Sequence, residues 1–434
     1  MTHFACERSG NGAGGKEVEM KFPRPWIMAG LLLAGPGAQA QLLPAPGGAL
    51  ERVGGVVPGA LDHLEDTLGH AGLDRLASAG LADKLLAARA ARVSDLLRRH
   101  GDSVELDDRR EPARRGIILL TGAKATSVDA LRAAGFGVQV EAVDGLDLSV
   151  ARLTVPQDRT LARALKQVRS IAPEAEASAD NIYFPSGSAI ANGTAALAAA
   201  GAPEGHAAGL IDGGVARHPS LTGPVEQQGF ARGAPRPSAH GTAVASLISG
   251  TGRVQGAAPG APLMVADVYG SDPAGGGAFA IARALGWMAA RGVRVVTVSL
   301  VGPDNPLLAG AIRLARDKGV TVVAAVGNDG PAAPPAYPAS YPEVVAVTGI
   351  DGRGQLLPEA GRARHVDFAA PGADMAAARM DGGKARVRGT SFAAPLVAGR
   401  LFATGSLRAL QAEARAARGA GFGHGIVCGA CRNI

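Results

Sequence analysis

Cysteine is scarce: Cys6, Cys428 and Cys431 are the only three in a chain of 434 residues. That excludes a small fold stapled by disulfides, so the core must hold by packing. Aromatic residues are few as well, ten Phe, two Trp and four Tyr, which leaves no platform for stacking nucleic-acid bases. The 44 Lys and Arg against 38 Asp and Glu give a net charge of +6. The arginines are scattered through Ala-rich stretches rather than gathered beside aromatics, so nucleic acid is not an expected partner. No run of eighteen apolar residues occurs, and no stable membrane anchor is expected. Charged residues make up 19% and hydrophobic ones 47%, too little charge and too much apolar material for a disordered chain. At this length two or three compact units are expected.

Residues 1–40 read as a leader. Lys21 and Arg24 precede an apolar stretch over 26–35 and then Ala38-Gln39-Ala40, the pattern of a signal peptide cut after Ala40, which predicts a secreted or periplasmic protein. A start at Met20 would remove Cys6 and leave an even pair of thiols. Residues 41–110 read as a helical N-terminal segment, with leucines three and four apart over 50–99. No function is legible there, and His63 and His70 are expected as surface histidines.

Residues 111–185 change period. Strand 117–120, a helix over 127–135, strands 138–143 and 148–155, a helix over 158–170 and a last strand over 175–184 give the order βαββαβ, a ferredoxin-like α+β domain. Residues 186–206 are rich in Gly, Ala and Ser and read as an exposed, cleavable linker. Over 207–405, Val-rich runs at 293–300, 320–326 and 344–347 alternate with helical stretches. Continuous β-branched strands joined by helices predict a three-layer α/β domain with a parallel sheet buried on both faces. Its active groups are expected at the carboxyl ends of the strands. Residues 406–434 read as a helix and a C-x-x-C tail. With His424 nearby but a fourth zinc ligand missing, Cys428 and Cys431 are expected to form a short-loop disulfide.

Three segments carry suitable chemistry. A strand runs into Asp212, His240 opens a helix, and Ser391 follows Gly389-Thr390 at the start of another. A serine hydroxyl at its free pKa is a poor nucleophile. It needs a base to take its proton, and that base needs a carboxylate to fix its tautomer and stabilise the imidazolium. Asn328, in Val326-Gly-Asn328-Asp-Gly, could donate to a developing oxyanion.

The blocks Gly209-Leu-Ile-Asp212-Gly-Gly-Val, His240-Gly-Thr-Ala-Val-Ala-Ser, Val298-Ser-Leu-Val-Gly-Pro303, Val326-Gly-Asn328 and Gly389-Thr-Ser391-Phe-Ala-Ala-Pro together resemble the subtilisin-like serine peptidases, the subtilases, over residues 205–405. The resemblance implies Asp212, His240 and Ser391 as the triad. It implies Asn328 with the Ser391 backbone N–H as the oxyanion hole, and substrate held along Ser299, Leu300, Val301 and Gly302 and along Ala324, Ala325, Val326 and Gly327. It further implies that residues 111–185 are a propeptide that inhibits the enzyme intramolecularly and is cleaved away at maturation. Protein or peptide substrates follow, with no cofactor required for catalysis. Three positions depart from the family pattern: Gly213 for a usual Thr or Ser, Ala243 for a usual second His, and Val301 for a usual Gly. A catalytically silent scaffold acting as a binding or chaperone-like protein is the alternative. An acid-active sedolisin-like enzyme is disfavoured, because it would carry Glu for His240 and Asp for Asn328. His218 is expected as a packing or turn histidine. Asp267, Asp304 and Asp329 are expected as solvated loop acids rather than metal ligands.

Overall fold

The computed structural model describes residues 74–186, 206–417 and 419–433. The leader with its expected cleavage site, Cys6, His63, His70 and linker residues 187–205 lie outside the described residues.

Helix α1 (Asp74–His100) lies within the segment expected to be helical. Its less exposed positions, Leu85, Arg89, Arg92, Leu96 and Leu97, recur three and four apart and so line one face. Leu96 and Leu97 pack on Val104, Ile182 and Ala274. Arg89 makes two hydrogen bonds to Glu111, and Arg92 reaches Asp329 at 2.8 Å.

The next elements are β1 (Val104–Leu106), β2 (Pro112–Thr121), α2 (Ala125–Ala133), β3 (Gly137–Val143), β4 (Leu148–Thr154), α3 (Leu161–Ile171) and β5 (Glu176–Asn181). Strand β2 pairs antiparallel with β4 on one side and with β1 and β5 on the other, and β3 closes the far edge. This is the strand order of a split βαβ fold. Alternation along β2 sends Ile118 and Leu120 to a core shared with Leu131 of α2 and Leu161, Leu165 and Val168 of α3, while Ile117 and Leu119 face the opposite way. Each such fully buried leucine contributes about 1.5–3 kcal/mol. The expected single strand over 175–184 is broken. After Asn181 the chain leaves this sheet, and β6 (Phe184–Pro185) pairs instead with Leu300 and Val301.

The large sheet contains β7 (Ala208–Asp212), β8 (Val225–Gly229), β9 (Leu263–Asp267), β10 (Val295–Val298), β12 (Thr321–Ala325), β13 (Val344–Ile350) and β14 (Phe368–Pro371), in the spatial order β14-β13-β12-β10-β7-β9-β8. Every pair is parallel. Between them lie α4 (Ala239–Ser249), α5 (Ala278–Ala290), the short β11 (Leu300–Val301) and α6 (Pro306–Asp317). The ribbon β15 (Met375–Ala378) with β16 (Lys384–Val387), then α7 (Thr390–Thr404) and α8 (Leu407–Glu413), complete the chain. Leu210, Val265, Val323 and Val345 point toward α4 and α7, and Ile211, Met264, Val322 and Ala346 point toward α5 and α6. The predicted three-layer parallel α/β domain is what the chain forms.

The second face of the small sheet is buried on α5 and α6. Ile117, Leu119, Val143 and Val150 join one core with Phe279, Leu285, Met288 and Ile312. Strand β5 crosses the starts of both helices. Asp180 accepts the Phe279 amide at 3.1 Å, supplying a cap that Gly277, the N-cap residue of α5, lacks. Asn305, the N-cap of α6, donates from its amide to Ala179 O at 2.9 Å and Asn181 Oδ1 at 3.0 Å.

The tail does not stand apart. Ala369 donates to Gly425 O and Val427 to Ala369 O, at 3.0 and 2.8 Å, so residues 425–427 run along the outer edge of β14. Cys428 and Cys431 are joined in a disulfide, and the Asn433 side chain pairs with both backbone groups of Gln255. At the other sheet edge, Gln227 of β8 folds its side chain onto both backbone groups of Val215.

The docking of the two sheets depends on glycine. A Cβ on Gly286 of α5 would lie 2.2 Å from Asp144 O, and one on Gly145, whose φ is +83°, would lie 2.3 Å from Gly286 O. Gly286→Val is expected to cost roughly 1–3 kcal/mol through overpacking. The check is the urea midpoint of the full chain, together with faster amide exchange in residues 104–181; unchanged exchange there would show that this crossing is not tight.

Candidate active site

Asp212 is the last residue of β7 and is 1% exposed. It accepts the Gly213 amide on Oδ1 at 2.7 Å and faces His240 Nδ1 through Oδ2 at 2.8 Å. That contact fixes the ring and leaves Nε2 directed elsewhere. His240 lies in the first turn of α4, whose N-cap Ser238 accepts the Gly241 amide at 2.9 Å, and its ring packs against Phe392 at 5.5 Å between centroids. Ser391 is fully buried at the start of α7, just after Gly389. Gly389 has φ +135°, a conformation open to glycine. Among the described residues, His240 Nε2 and Ser391 Oγ have no hydrogen-bond partner.

Asn328 follows the carboxyl end of β12. Its Oδ1 accepts the Thr390 amide at 3.0 Å, which orients the side chain, and its Nδ2 donates to Ser186 O at 2.6 Å. The Ser391 amide donates to the same oxygen at 3.1 Å. Two donors thus converge on one peptide carbonyl, next to the Ser391 side chain.

Residues 183–186 lie in an extended run that ends at this carbonyl. The Ser186 amide donates to Ser299 O at 3.1 Å, Pro185 and Phe184 register with Leu300 and Val301, and Gly302 bridges to Tyr337 on the far side. The Ser299 hydroxyl donates to Ser391 O at 2.9 Å. Ala324 and Ala325 are in β12, and Val326 donates to Val347 O; Gly327 donates to Thr390 Oγ1. The second side of the extended run is formed by Gly276, which accepts the Tyr183 amide at 2.9 Å, and Gly277, which bridges to Ile182. The Gly275-Gly276-Gly277 run was the available signal for that edge, because glycine permits close backbone approach. Cys428 and Cys431 lie in the tail that lines β14, outside this group.

His218 behaves as a packing histidine, bonded to Gly383 O and to the Ser220 amide. Two of the three expected loop acids need correction. Asp267 is fully buried, because the ends of neighbouring parallel strands fold over it and the amides of Arg236, Tyr269 and Gly270 satisfy its carboxylate. Asp329 is held by Arg92 and Arg89, at 2.8 and 3.5 Å. Asp304 is exposed. Among the described residues, no three His, Cys, Asp or Glu side chains gather as a metal site would require.

The Gly213 departure has a steric cause. A Cβ there would lie 2.4 Å from Ser238 Oγ and 2.7 Å from its Cβ, so the hydroxyl beside Asp212 comes from the cap of the neighbouring helix. Gly213→Ala alone is expected to destabilise by roughly 1–3 kcal/mol, and Ser238→Gly by only a few tenths. The double variant should recover most of the first loss; denaturation midpoints of the four proteins check this, and simple additivity would refute the steric coupling.

Three likenesses bear on these residues. The model of the subtilase family matches residues 205–406. Subtilisin BL of Lederbergia lenta is 34% identical over 200 residues, covering 44% of this chain and 72% of that protein. The major intracellular serine protease of Bacillus subtilis (strain 168) is 33% identical over 170 residues, 37% of this chain, which spans about half of that relative's length, 53%. In fold, the crystal structure of fervidolysin from Fervidobacterium pennivorans, described as a keratinolytic enzyme related to subtilisin, superposes with a TM-score of 0.58 at 20% identity, over 73% of this chain and 60% of that one. With Asp, His and Ser at the ends of one parallel sheet in that order, this chain belongs to the subtilase family.

Proposed function

We propose that the chain is a serine endopeptidase that cuts its own backbone after Ser186 and then acts on other peptides. The observation that carries this reading is the Ser186 carbonyl oxygen, held by Asn328 Nδ2 at 2.6 Å and the Ser391 amide at 3.1 Å. Donors aimed at the oxygen that gains negative charge are the largest single contribution in acyl transfer.

In the proposed reaction, Ser391 Oγ bonds to the Ser186 carbonyl carbon while His240 Nε2 takes the hydroxyl proton. The carbonyl electron pair moves onto the oxygen facing Asn328 and the Ser391 amide. Collapse breaks the bond to the Gly187 nitrogen, which receives the proton from Nε2. A water molecule, deprotonated by the same nitrogen, then releases Ser186 as a carboxylate and restores Ser391. Asp212 holds the ring and stabilises the imidazolium throughout.

Under this reading, residues 104–186 act as a propeptide. They bury one sheet face on α5 and α6 and leave their last residues in the cleft. We also propose that the protein is exported, on the strength of the basic, apolar and Ala-x-Ala pattern over residues 20–40. The unpartnered His240 Nε2 and Ser391 Oγ are what the silent-scaffold reading would expect, whereas catalytic contacts can also tighten only when a substrate strains toward its transition state.

Intact mass separates the two readings. Wild type is expected as fragments parted between Ser186 and Gly187, with Ser391→Ala whole. A wild type that stays whole, resists a fluorophosphonate probe and leaves casein intact would move the scaffold reading to the front. Asn328→Ala should slow the self-cleavage roughly 10²- to 10³-fold, the loss known for the corresponding asparagine of a subtilisin. Time courses of fragment appearance measure it, and a rate within threefold of wild type would remove Asn328 from the oxyanion role.

A further inference from the structure

The extended run is gripped unevenly, and the unevenness points to a side-chain preference; the inference rests on reading residues 183–186 as substrate. Pro185 is exposed and Phe184 half-buried, its ring 5.8 Å from the Arg92 guanidinium. Tyr183, the fourth residue before the scissile bond, is fully buried. Its amide donates to Gly276 O at 2.9 Å, and its carbonyl accepts the Tyr269 hydroxyl at 2.7 Å. Its own hydroxyl donates to Pro303 O at 2.7 Å. The ring lies on Gly302, where a Cβ would come within 2.6–2.8 Å of ring carbons.

Tyr269 is itself fixed. Its amide donates to buried Asp267 at 2.9 Å, and Gly276 leaves room for the ring, since a Cβ there would lie 2.6 Å from Cε1. Burial pushes both tyrosine hydroxyls well above the usual tyrosine range, so each keeps the proton it donates. A phenylalanine in place of Tyr183 would fill the same space and leave the Pro303 carbonyl without that donor, an asymmetry that disfavours it.

We propose that Tyr269 is a specificity-determining residue, and that the cleft selects peptides with tyrosine four residues before the cut, read once at its main-chain carbonyl by Tyr269 and once at its hydroxyl by Pro303 O. The reciprocal pair of tyrosine-to-carbonyl bonds makes the subsite polar at its floor as well as its rim. Main-chain pairing along Leu300 and Val301 would accept many sequences, whereas this subsite would sort them.

The test uses the full chain in two forms. In the Ser391→Ala protein, Tyr269→Phe and Tyr183→Phe are each expected to speed amide exchange over residues 183–186 about tenfold, with the rest of the protein unchanged. With matured wild type, acetyl-Tyr-Phe-Pro-Ser p-nitroanilide should be hydrolysed with a kcat/KM about tenfold above the peptide beginning Phe-Phe, the difference falling mainly in KM. Tyr269→Phe, which keeps the ring and loses only the hydroxyl, should lower kcat/KM for both peptides by a similar factor and leave the preference for Tyr over Phe intact. A general structural defect would not preserve that preference. Equal rates for the two peptides, or wild-type exchange and kinetics in Tyr269→Phe, would overturn the proposal. No hydrolysis of any peptide alongside the expected exchange effect would instead overturn the peptidase reading and leave the Tyr269 contact standing as a docking contact.

Discussion

Seven parallel strands with apolar side chains on both faces require a helical layer on each side, and the rest of the molecule follows from satisfying that requirement twice. Helices α4 and α7 cover one face, and they are the two that carry His240 and Ser391. Helices α5 and α6 cover the other, but they are apolar enough to need covering themselves: Phe279, Met288 and Ile312 belong to a core completed by Ile117, Leu119 and Val150 of the small sheet. The result is a stack of five layers. Because Asp180 and Asn305 fix β5 over the helix starts, the chain leaving β5 has little freedom in direction, and three residues later it lies between Gly276 and Leu300.

Much of this was legible in the residues. The Val-rich runs around 296, 323 and 345 are too continuous for a half-exposed sheet, and the structure buries them on both sides. The βαββαβ order was legible because Ile117 to Leu120 and the amphipathic stretch 161–171 have unmistakably different periods. The positions of Asp212, His240, Ser391 and Asn328 at strand ends and helix starts could also be read, since their blocks carry glycines and caps at fixed offsets.

What could not be read depends on which loops meet. Nothing local marks Tyr269 as facing residue 183, 86 positions away, or Ser238 as filling the space beside Gly213. Asp267 looked like a solvated loop acid because its partners are backbone amides, which leave no trace in side-chain chemistry. The break between β5 and β6 was hidden for a similar reason. Residues 176–185 are uniformly extended, and only their hydrogen-bond partners change, from Ile118 and its neighbours to Val301.

The tail along β14 bears on how the molecule behaves in company. An open sheet offers amides and carbonyls at both margins, which a second copy can extend into a longer ladder. Here one margin is occupied by residues 425–427, anchored beyond by the Cys428–Cys431 bridge and Asn433. The other presents Glu226, Gln227 and Gln228, with Gln227 turned back on Val215. A sheet of this width is thereby sealed against edge-to-edge growth, so a high local concentration of the folded protein favours dispersion over fibre-like association.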